Sequence, residues 1–271
     1  MNNYHDYISF LHRLADAAGT PALEGFRASI HVDNKGRADA PADDARRYDP
    51  VTDADRGAER VMRDLIEATY PDHGIIGEEY GALNREAEHV WVLDPIDGTR
   101  SFIAGVPLWG TLIGLMREGR PTLGMMAQPY IGERFFGDGQ KAHYRGPHGE
   151  GAIKTRACPD LSDAILFTTT PGLFNAEERP LYDAVEHKVR LARYGTDCYG
   201  YCMLAAGQVD LVIEAGLETY DVAALVPIVE GAGGVMTTWT GAPATDGGRI
   251  VASGDPALHE QVLRDLALCR S

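Results

Sequence analysis

Residues 91–102 read WVLDPIDGTRSF. Three apolar residues, Trp91, Val92 and Leu93, lead into Asp94, and Asp97 follows directly before Gly98-Thr99. An apolar run that ends on an acid reads as a buried strand carrying a carboxylate at its end. Such a carboxylate is costly to bury unless something pairs it. A turn, a salt bridge and a metal ion are the candidates. Asp-Pro and Asp-Gly both favour turns, so a turn alone accounts for the pair. Strand ends are also where α/β proteins keep ligands. Gly98 permits a close backbone approach and Thr99 adds a hydroxyl. A helix starting just after them would offer free N–H groups to an anion.

On either side of this stretch, helix-period and strand-like segments are interspersed. Residues 4–18 have apolar positions near helical spacing, interrupted at Gly19-Thr20-Pro21 with a second short helical piece after it. Residues 30–55 are polar and read as a short strand or hairpin fragment with a flexible loop. Residues 58–70, AERVMRDLIEATY, form an amphipathic helix stopping before Pro71. GIIGEEYG (74–81) is a short strand running into a loop. Residues 107–116 and 121–130 read as a β-hairpin, with Pro121 an objection to a central strand. The Gly- and Pro-containing polar stretch 137–160 marks a boundary between an N-terminal half, 1–150, and a C-terminal half, 151–271. In the second half AILFTT (164–169), VDLVIEAG (209–216) and VMTTW (235–239) are strands. Residues 174–189, 199–208, 221–234 and 257–268 are helices. The expected class is a layered α/β (α+β) protein in two halves.

With 271 residues and 44% apolar composition, the chain can fill a substantial core. A formal net charge of −15 argues against binding a nucleic-acid backbone. It leaves room for a small phosphorylated substrate if a divalent cation supplies local positive charge. Cys198 and Cys202 are separated by three residues, unlike a CxxC pair. They and Cys158 and Cys269 read as buried or incidental thiols of a reducing compartment. MNNYHDYISFLHRL has no basic start followed by an apolar run, and no 18-residue apolar stretch occurs. No membrane partner is expected, and the cytoplasm is the expected compartment.

Other acids share the setting of Asp94 and Asp97. Glu78-Glu79 follows apolar Ile75-Ile76, so a short strand could deliver it inward; as a pair it also reads as solvated surface. Asp221 precedes a helical run and reads equally as an N-cap. Asp53 or Asp55 could cap the helix after them. Each acid has a structural explanation alone. The set together suits a hard cation held by oxygen ligands, Mg²⁺ first, since phosphate chemistry often uses two such ions as a clamp. Neither HExxH nor an EF-hand loop occurs.

GEE at 77–79, DPIDGT at 94–99 and YDVAAL at 220–225 resemble the signatures of the inositol-monophosphatase-like family, in the family's order and across nearly the whole chain. The resemblance implies an αβαβα layered fold with mixed and antiparallel sheets, a Mg²⁺-dependent phosphatase activity with two or three ions, lithium sensitivity and a homodimer. It places Glu78, Asp94 and the Ile96 carbonyl on a first metal. It places Asp94, Asp97 and Asp221 on a second, with Glu78 also serving a third. Thr99 would orient the attacking water with help from Asp55, and the Gly98 and Thr99 N–H groups would hold phosphate. Glu79 would pair with Lys35.

Residues 193–234 are similar to the histidinol-phosphate phosphatase branch, in which an acid follows Gly-Thr, here Asp197. Tyr220 stands where the family usually has Trp. Histidinol phosphate carries an ammonium and an imidazole, and Asp197 and Glu214 could meet them through charge-assisted bonds. Asp197 could instead cap the helix after it. Arg193 is a further substrate contact implied near the site, and His187 and Arg190 could reach the leaving-group side or sit on the surface. The expected reaction is in-line hydrolysis of a phosphate monoester without a phosphoenzyme. An inositol-1-phosphate or broad sugar-phosphate phosphatase is the alternative within this class. A non-catalytic relative that binds metal or phosphorylated ligands is the alternative outside it.

Overall fold

The structure is a computed structural model that describes residues 4–36 and 48–268. The opening helix α1 (Tyr4–Gly25) and the amphipathic α2 (Asp53–Thr69) pack together. Phe10, Leu11, Leu14, Ala15 and Ala18 of α1 meet Ala58, Met62 and Ile66 of α2 at 0–3% exposure. Both helices lie on one face of an eight-stranded sheet. Its strands are β3 (Gly74–Gly77), β4 (Gly81–Leu83), β5 (His89–Asp97), β6 (Gly110–Arg117), β7 (Arg120–Gln128), β8 (Glu133–Gly137), β9 (Ala142–Gly146) and β10 (Gly149–Ile153). They run in the order β10-β9-β8-β7-β6-β5-β3-β4, antiparallel except for β3 beside β5. A separate two-stranded ladder pairs β1 (Val32–Asn34) with β2 (Pro50–Thr52).

The second sheet takes β11 (Ile165–Thr168), β12 (Leu191–Tyr194), β13 (Leu211–Leu217), β14 (Val235–Thr238) and β15 (Gly248–Ser253) in the order β12-β11-β13-β15-β14. Helices α5 (Asp197–Ala205), α6 (Thr219–Val222) and α7 (Leu225–Gly231) fill the space between the sheets, where Tyr201, Cys202, Leu225 and Ile228 share a core with Leu112, Met126, Val212 and Ala252. Helices α4 (Arg179–Glu186) and α8 (Pro256–Leu268) cover the outer face of the second sheet. The result is the expected five-layer αβαβα sandwich. No helix among the described residues is long and apolar enough to cross a membrane.

Several local expectations need correction. Gly19-Thr20-Pro21 does not interrupt α1, because the buried face continues through Ala18 and Ala22 and Pro21 packs beside Gly57 of α2. Tertiary packing overrides the local breaker there. The hairpin β6–β7 turns at Glu118-Gly119, both at positive φ, and the register shift opposite Pro121 is what admits a proline to the ladder. The helix placed at 174–189 is confined to Arg179–Glu186. The one placed at 221–234 divides into α6 and α7, since Pro227 has no N–H to donate to the carbonyl of Ala223. That junction lies hard against the first sheet. A Cβ on Gly124 would fall 1.9 Å from the Ala224 carbonyl oxygen. Strands β12 and β15 are additions to the expected set. The polar stretch 137–160 carries β9 and β10, which extend the first sheet to Ile153. The loop expected in the 30–55 segment and Cys269 lie largely outside the described residues, whereas Cys158, Cys198 and Cys202 are buried free thiols.

One buried polar link gives a pH-dependent stability. His259 of α8, 4% exposed, contacts Ser253 Oγ at 3.1 Å and Thr237 Oγ1 at 2.8 Å. Burial pushes its pKa down to about 4. The unfolded chain therefore takes up a proton that the folded chain refuses between pH 6.5 and 4. This contribution is complete above pH 6.5 and is lost as pH falls through that window, by about 2 kcal/mol between pH 7.5 and 5. Urea denaturation of H259Q is expected to show a pH slope shallower than wild type by that amount. Equal slopes would clear His259 of the effect.

Candidate active site

In an unbroken strand Asp94 and Asp97, three residues apart, would point to opposite faces of the sheet. They do not, because β5 carries a bulge. Asp94 pairs with Leu112 and Asp97 with Gly110, so β5 spends one more residue than β6 between those pairs. Asp94 Oδ1 accepts from the Ile96 N–H at 3.1 Å, and Thr111 Oγ1 donates to the Pro95 carbonyl at 2.9 Å, which holds the bulge in shape. Asp221 arrives from α6, where it and Glu218 cap one another and the Glu218 N–H donates to Asp221 Oδ2 at 2.7 Å. Oxygens of Asp94, Asp97 and Asp221 lie within 4.8 Å of one another. Asp221 thus caps its helix from the third position and joins the cluster as well.

Glu78 follows β3 and adjoins Asp94. Lys35 Nζ bridges Glu78 Oε1 and Glu79 Oε1, each at 2.8 Å. Burial works against the Lys35 charge, but the two carboxylates outweigh it and hold its pKa above the ordinary value. Burial raises Glu78 and Asp97, and raises Asp94 and Asp221 further still. Among the described residues no Lys or Arg forms an ion pair with Asp94, Asp97 or Asp221. Three mutually repelling aspartates with no ion-pair partner among the described residues, beside Glu78 and a backbone carbonyl, fit a hard divalent cation.

The cluster opens into a cleft of about 180 Å³ whose lining also includes Asp49, Gly98, Thr99, Thr169, Asp197 and Glu214. Gly98, at φ 84°, adopts a left-handed conformation before the short helix α3 (Thr99–Ile103). A Cβ at this position would come within 3.1 Å of the Asp197 carboxyl carbon and of the Leu108 carbonyl oxygen. Thr99 Oγ1 lies 3.1 Å from the Ile96 carbonyl and 3.5 Å from Asp55 Oδ1. Asp55 is fully buried, and burial pushes its pKa up to about 6. The N-cap of α2 is neither Asp53 nor Asp55 but Thr52; Asp55 completes the capping box with Oδ2 and reaches Thr99 with Oδ1.

Beside Asp97 and Gly98 in the cleft, Asp197 begins α5 with φ 43°, an uncommon conformation for a residue with a side chain. Its Oδ2 accepts from Ser101 Oγ at 3.1 Å, and it makes no capping bond. The carboxylate at the start of α5 is Asp97, whose Oδ2 accepts from the Cys198 N–H at 2.6 Å. Glu214, 2% exposed, accepts from the Thr169 N–H at 2.5 Å. Burial raises Asp197 to about 7 and Glu214 to about 8. Arg193 is exposed on the edge strand β12 and does not line the cleft, and His187 and Arg190 are exposed beyond α4.

Sequence reasoning passed over Glu59. It is fully buried, accepts from the N–H groups of Glu79 at 2.7 Å and Tyr80 at 3.2 Å, and pairs with Arg63 at 2.7 Å. It holds the turn that presents Glu78. Its i,i+4 spacing to Arg63 on a helix is also the pattern of an ordinary surface ion pair, so no sequence signal separated the two.

The layered sheets and the acidic cleft at the end of β5 define a class, the layered α/β phosphatases. The chain belongs to the inositol monophosphatase family, whose sequence profile matches residues 3–270. It is 46% identical over 266 residues to the chloroplastic bifunctional phosphatase IMPL2 of Arabidopsis thaliana, covering 93% of this chain and 72% of that one. It is 33% identical over 258 residues to the histidinol-phosphatase of Chlorobaculum parvum, covering 92% of each. An inositol monophosphatase structure from Zymomonas mobilis superposes with a TM-score of 0.84 at 42% identity, over 98% of this chain and all of that one.

Proposed function

We propose that the protein is a Mg²⁺-dependent histidinol-phosphatase that releases L-histidinol and phosphate in histidine biosynthesis, in the cytoplasm and as a homodimer. The observation that carries the substrate is the pair Asp197 and Glu214. These two acids line the same cleft as the acidic cluster and form no ion pair with Lys or Arg among the described residues. A leaving group with an ammonium and an imidazole would bring donors and positive charge to these two acids, in addition to Arg100, which lines the same cleft. The likeness to a histidinol-phosphatase supports the same reading. An inositol-1-phosphate or broad sugar-phosphate phosphatase is the second reading, favoured by the 42% identity to an inositol monophosphatase.

Glu78, Asp94, Asp97, Asp221 and the Ile96 carbonyl would hold two or three ions. Bound Mg²⁺ supplies positive charge for the phosphate oxygens and the leaving alkoxide and acidifies the attacking water. The first N–H groups of α3, at Gly98 and Thr99, hold a phosphate oxygen. With Asp55 ionised, the Thr99 hydroxyl donates to it and turns its lone pairs to the incoming water. The water's proton then passes to Thr99 as the threonine proton moves to Asp55 Oδ1. Asp197 and Glu214 orient the cationic leaving group, so that the ester oxygen leaves in line with the attack.

Phosphate release from histidinol phosphate and inositol 1-phosphate, with and without Mg²⁺, tests this. Wild type is expected to prefer histidinol phosphate by about a hundredfold in kcat/KM, and D197N to lose most of that preference; two charge-assisted bonds supply about that much. Asn is the informative replacement because it tolerates the left-handed backbone that Ala would strain. Comparable rates on both substrates would defeat the histidinol assignment. Turnover of neither, with Mg²⁺ bound, would favour a non-catalytic binding role.

A further inference from the structure

Gly77 ends β3 directly before Glu78, and a side chain is excluded there. A Cβ would fall 2.0 Å from Glu59 Oε1 and 2.8 Å from an Arg63 nitrogen, so that space belongs to the buried ion pair of α2. Glu59 Oε2 accepts from the Glu79 N–H at 2.7 Å, and Oε1 accepts from the Tyr80 N–H at 3.2 Å. Arg63 also donates to the Gly81 carbonyl. Arg60 and Arg63 stand over the Tyr80 ring, their guanidinium carbons 5.5 and 5.9 Å from its centroid. On its other side the Glu78 N–H donates to the Leu93 carbonyl of β5 at 3.2 Å. Glu78 is thus fastened to the strand that carries Asp94 and, through the two residues after it, to α2. A buried carboxylate whose ion pair contributes little net stability has to be accounted for by what it fixes in place.

We infer that Glu59 is a positioning residue that sets the affinity of the site for its cation, by holding the backbone from which Glu78 reaches Asp94. It touches neither ion nor substrate. The opposing pull on Glu78 is Lys35, whose Nζ lies 2.8 Å from Glu78 Oε1. With the N–H groups of Glu79 and Tyr80 released, Glu78 is free to follow Lys35, and the cation has to recover it from that ion pair. Gln cannot replace Glu59 oxygen for oxygen. In either orientation its amide nitrogen meets a donor, the Glu79 N–H in one and the Tyr80 N–H with Arg63 in the other. Asp55 stands one helical turn earlier and reaches Thr99, so α2 positions both the acid beside the metal cluster and the partner of Thr99.

This inference rests on Glu78 holding Mg²⁺ in the proposed function. The test is calorimetric titration of the metal-free protein with Mg²⁺, together with the Mg²⁺ concentration that half-saturates phosphate release. E59Q is expected to raise both values about tenfold, with kcat at saturating Mg²⁺ within about threefold of wild type. R63M removes the partner of Glu59 and keeps the carboxylate. It should raise both values about threefold, and it carries the test if E59Q does not fold. M62A opens a cavity in the core on the same helix and should lower the melting temperature while leaving both Mg²⁺ values unchanged. Unaltered Mg²⁺ affinity in whichever of E59Q and R63M folds, or a loss in M62A matching theirs, would overturn the role. Absence of Mg²⁺ binding by wild type would instead remove the proposed function, and the role of Glu59 with it.

Discussion

Asp97→Asn is expected to reduce phosphate release about a thousandfold while leaving the metal-free protein more stable than wild type. The two effects have one origin. Asp97 stands within 4.8 Å of Asp94 and Asp221, with its own carboxyl raised by burial. In the metal-free protein this crowding works against folding. Asn keeps an oxygen for the Cys198 N–H, now 2.6 Å from Asp97 Oδ2, and can turn its amide group toward the neighbouring acids. The fold loses a repulsion and gains a donor. The reaction loses an anionic oxygen at the point where the cation has to be held, and several kcal/mol of transition-state stabilisation go with it, equivalent to about three decades in rate. Steady-state kinetics in saturating Mg²⁺ and a melting curve in EDTA decide the matter. A loss of less than tenfold, or a melting temperature below wild type in EDTA, would contradict this account of Asp97.

What the sequence conveys about this site depends on how local each contact is. Asp94-Pro95-Ile96-Asp97-Gly98-Thr99 contains its ligands within one turn, and the convergence of its acids follows from residues five apart at most. Even so, simple alternation would have separated Asp94 from Asp97, and the bulge that joins them becomes visible only against β6. Asp55 and Asp221 were open to reading as helix caps, and both do belong to capping boxes. A carboxylate has two oxygens, and Asp55 shows the consequence, with Oδ2 on Thr52 and Oδ1 toward Thr99. Cap and site were never exclusive alternatives. Asp197 differs, since the bond expected of it as a cap is made by Asp97, a hundred residues earlier in the chain. Long-range substitutions of this kind leave no periodic trace.

The same distinction applies to the fold. The amphipathic α2 and the hairpin β6–β7 rest on patterns internal to each segment, and they stand where expected. β12 is four residues long on an exposed edge, and β15 buries only its last four residues between glycines and Pro256. Runs that short carry too few alternations to identify a strand. Pro21 is the opposite case. A strong local signal was overruled because Ala18 and Ala22 continue a buried face that only the partner helix and sheet make necessary.

Removal of the metal is expected to have the largest effect on stability. Burial raises the carboxyls of Asp94 and Asp221 well above their ordinary value, and raises Asp97 and Glu78 in the same direction. A group whose folded pKa exceeds its unfolded one adds stability fully below the unfolded value, about 3.8 for Asp, and loses it as pH rises through the folded value. The metal-free cluster therefore becomes a growing liability toward neutral and alkaline pH. A cation that binds only the folded chain reverses this. At about a hundred times its Kd it adds about 2.7 kcal/mol, or about 5–10 °C in melting temperature for a chain of this size. Mg²⁺ should thus raise the melting temperature at pH 8 and do so much less at pH 5.5, where protons compete for the same oxygens. The combined variant D94N/D97N/D221N should melt above wild type in EDTA at pH 8 and show no shift with Mg²⁺. A shift that survives in this variant would place the stabilising cation elsewhere. A wild-type shift of equal size at both pH values would mean that these carboxyls are already ionised at pH 5.5, and that burial does not govern them.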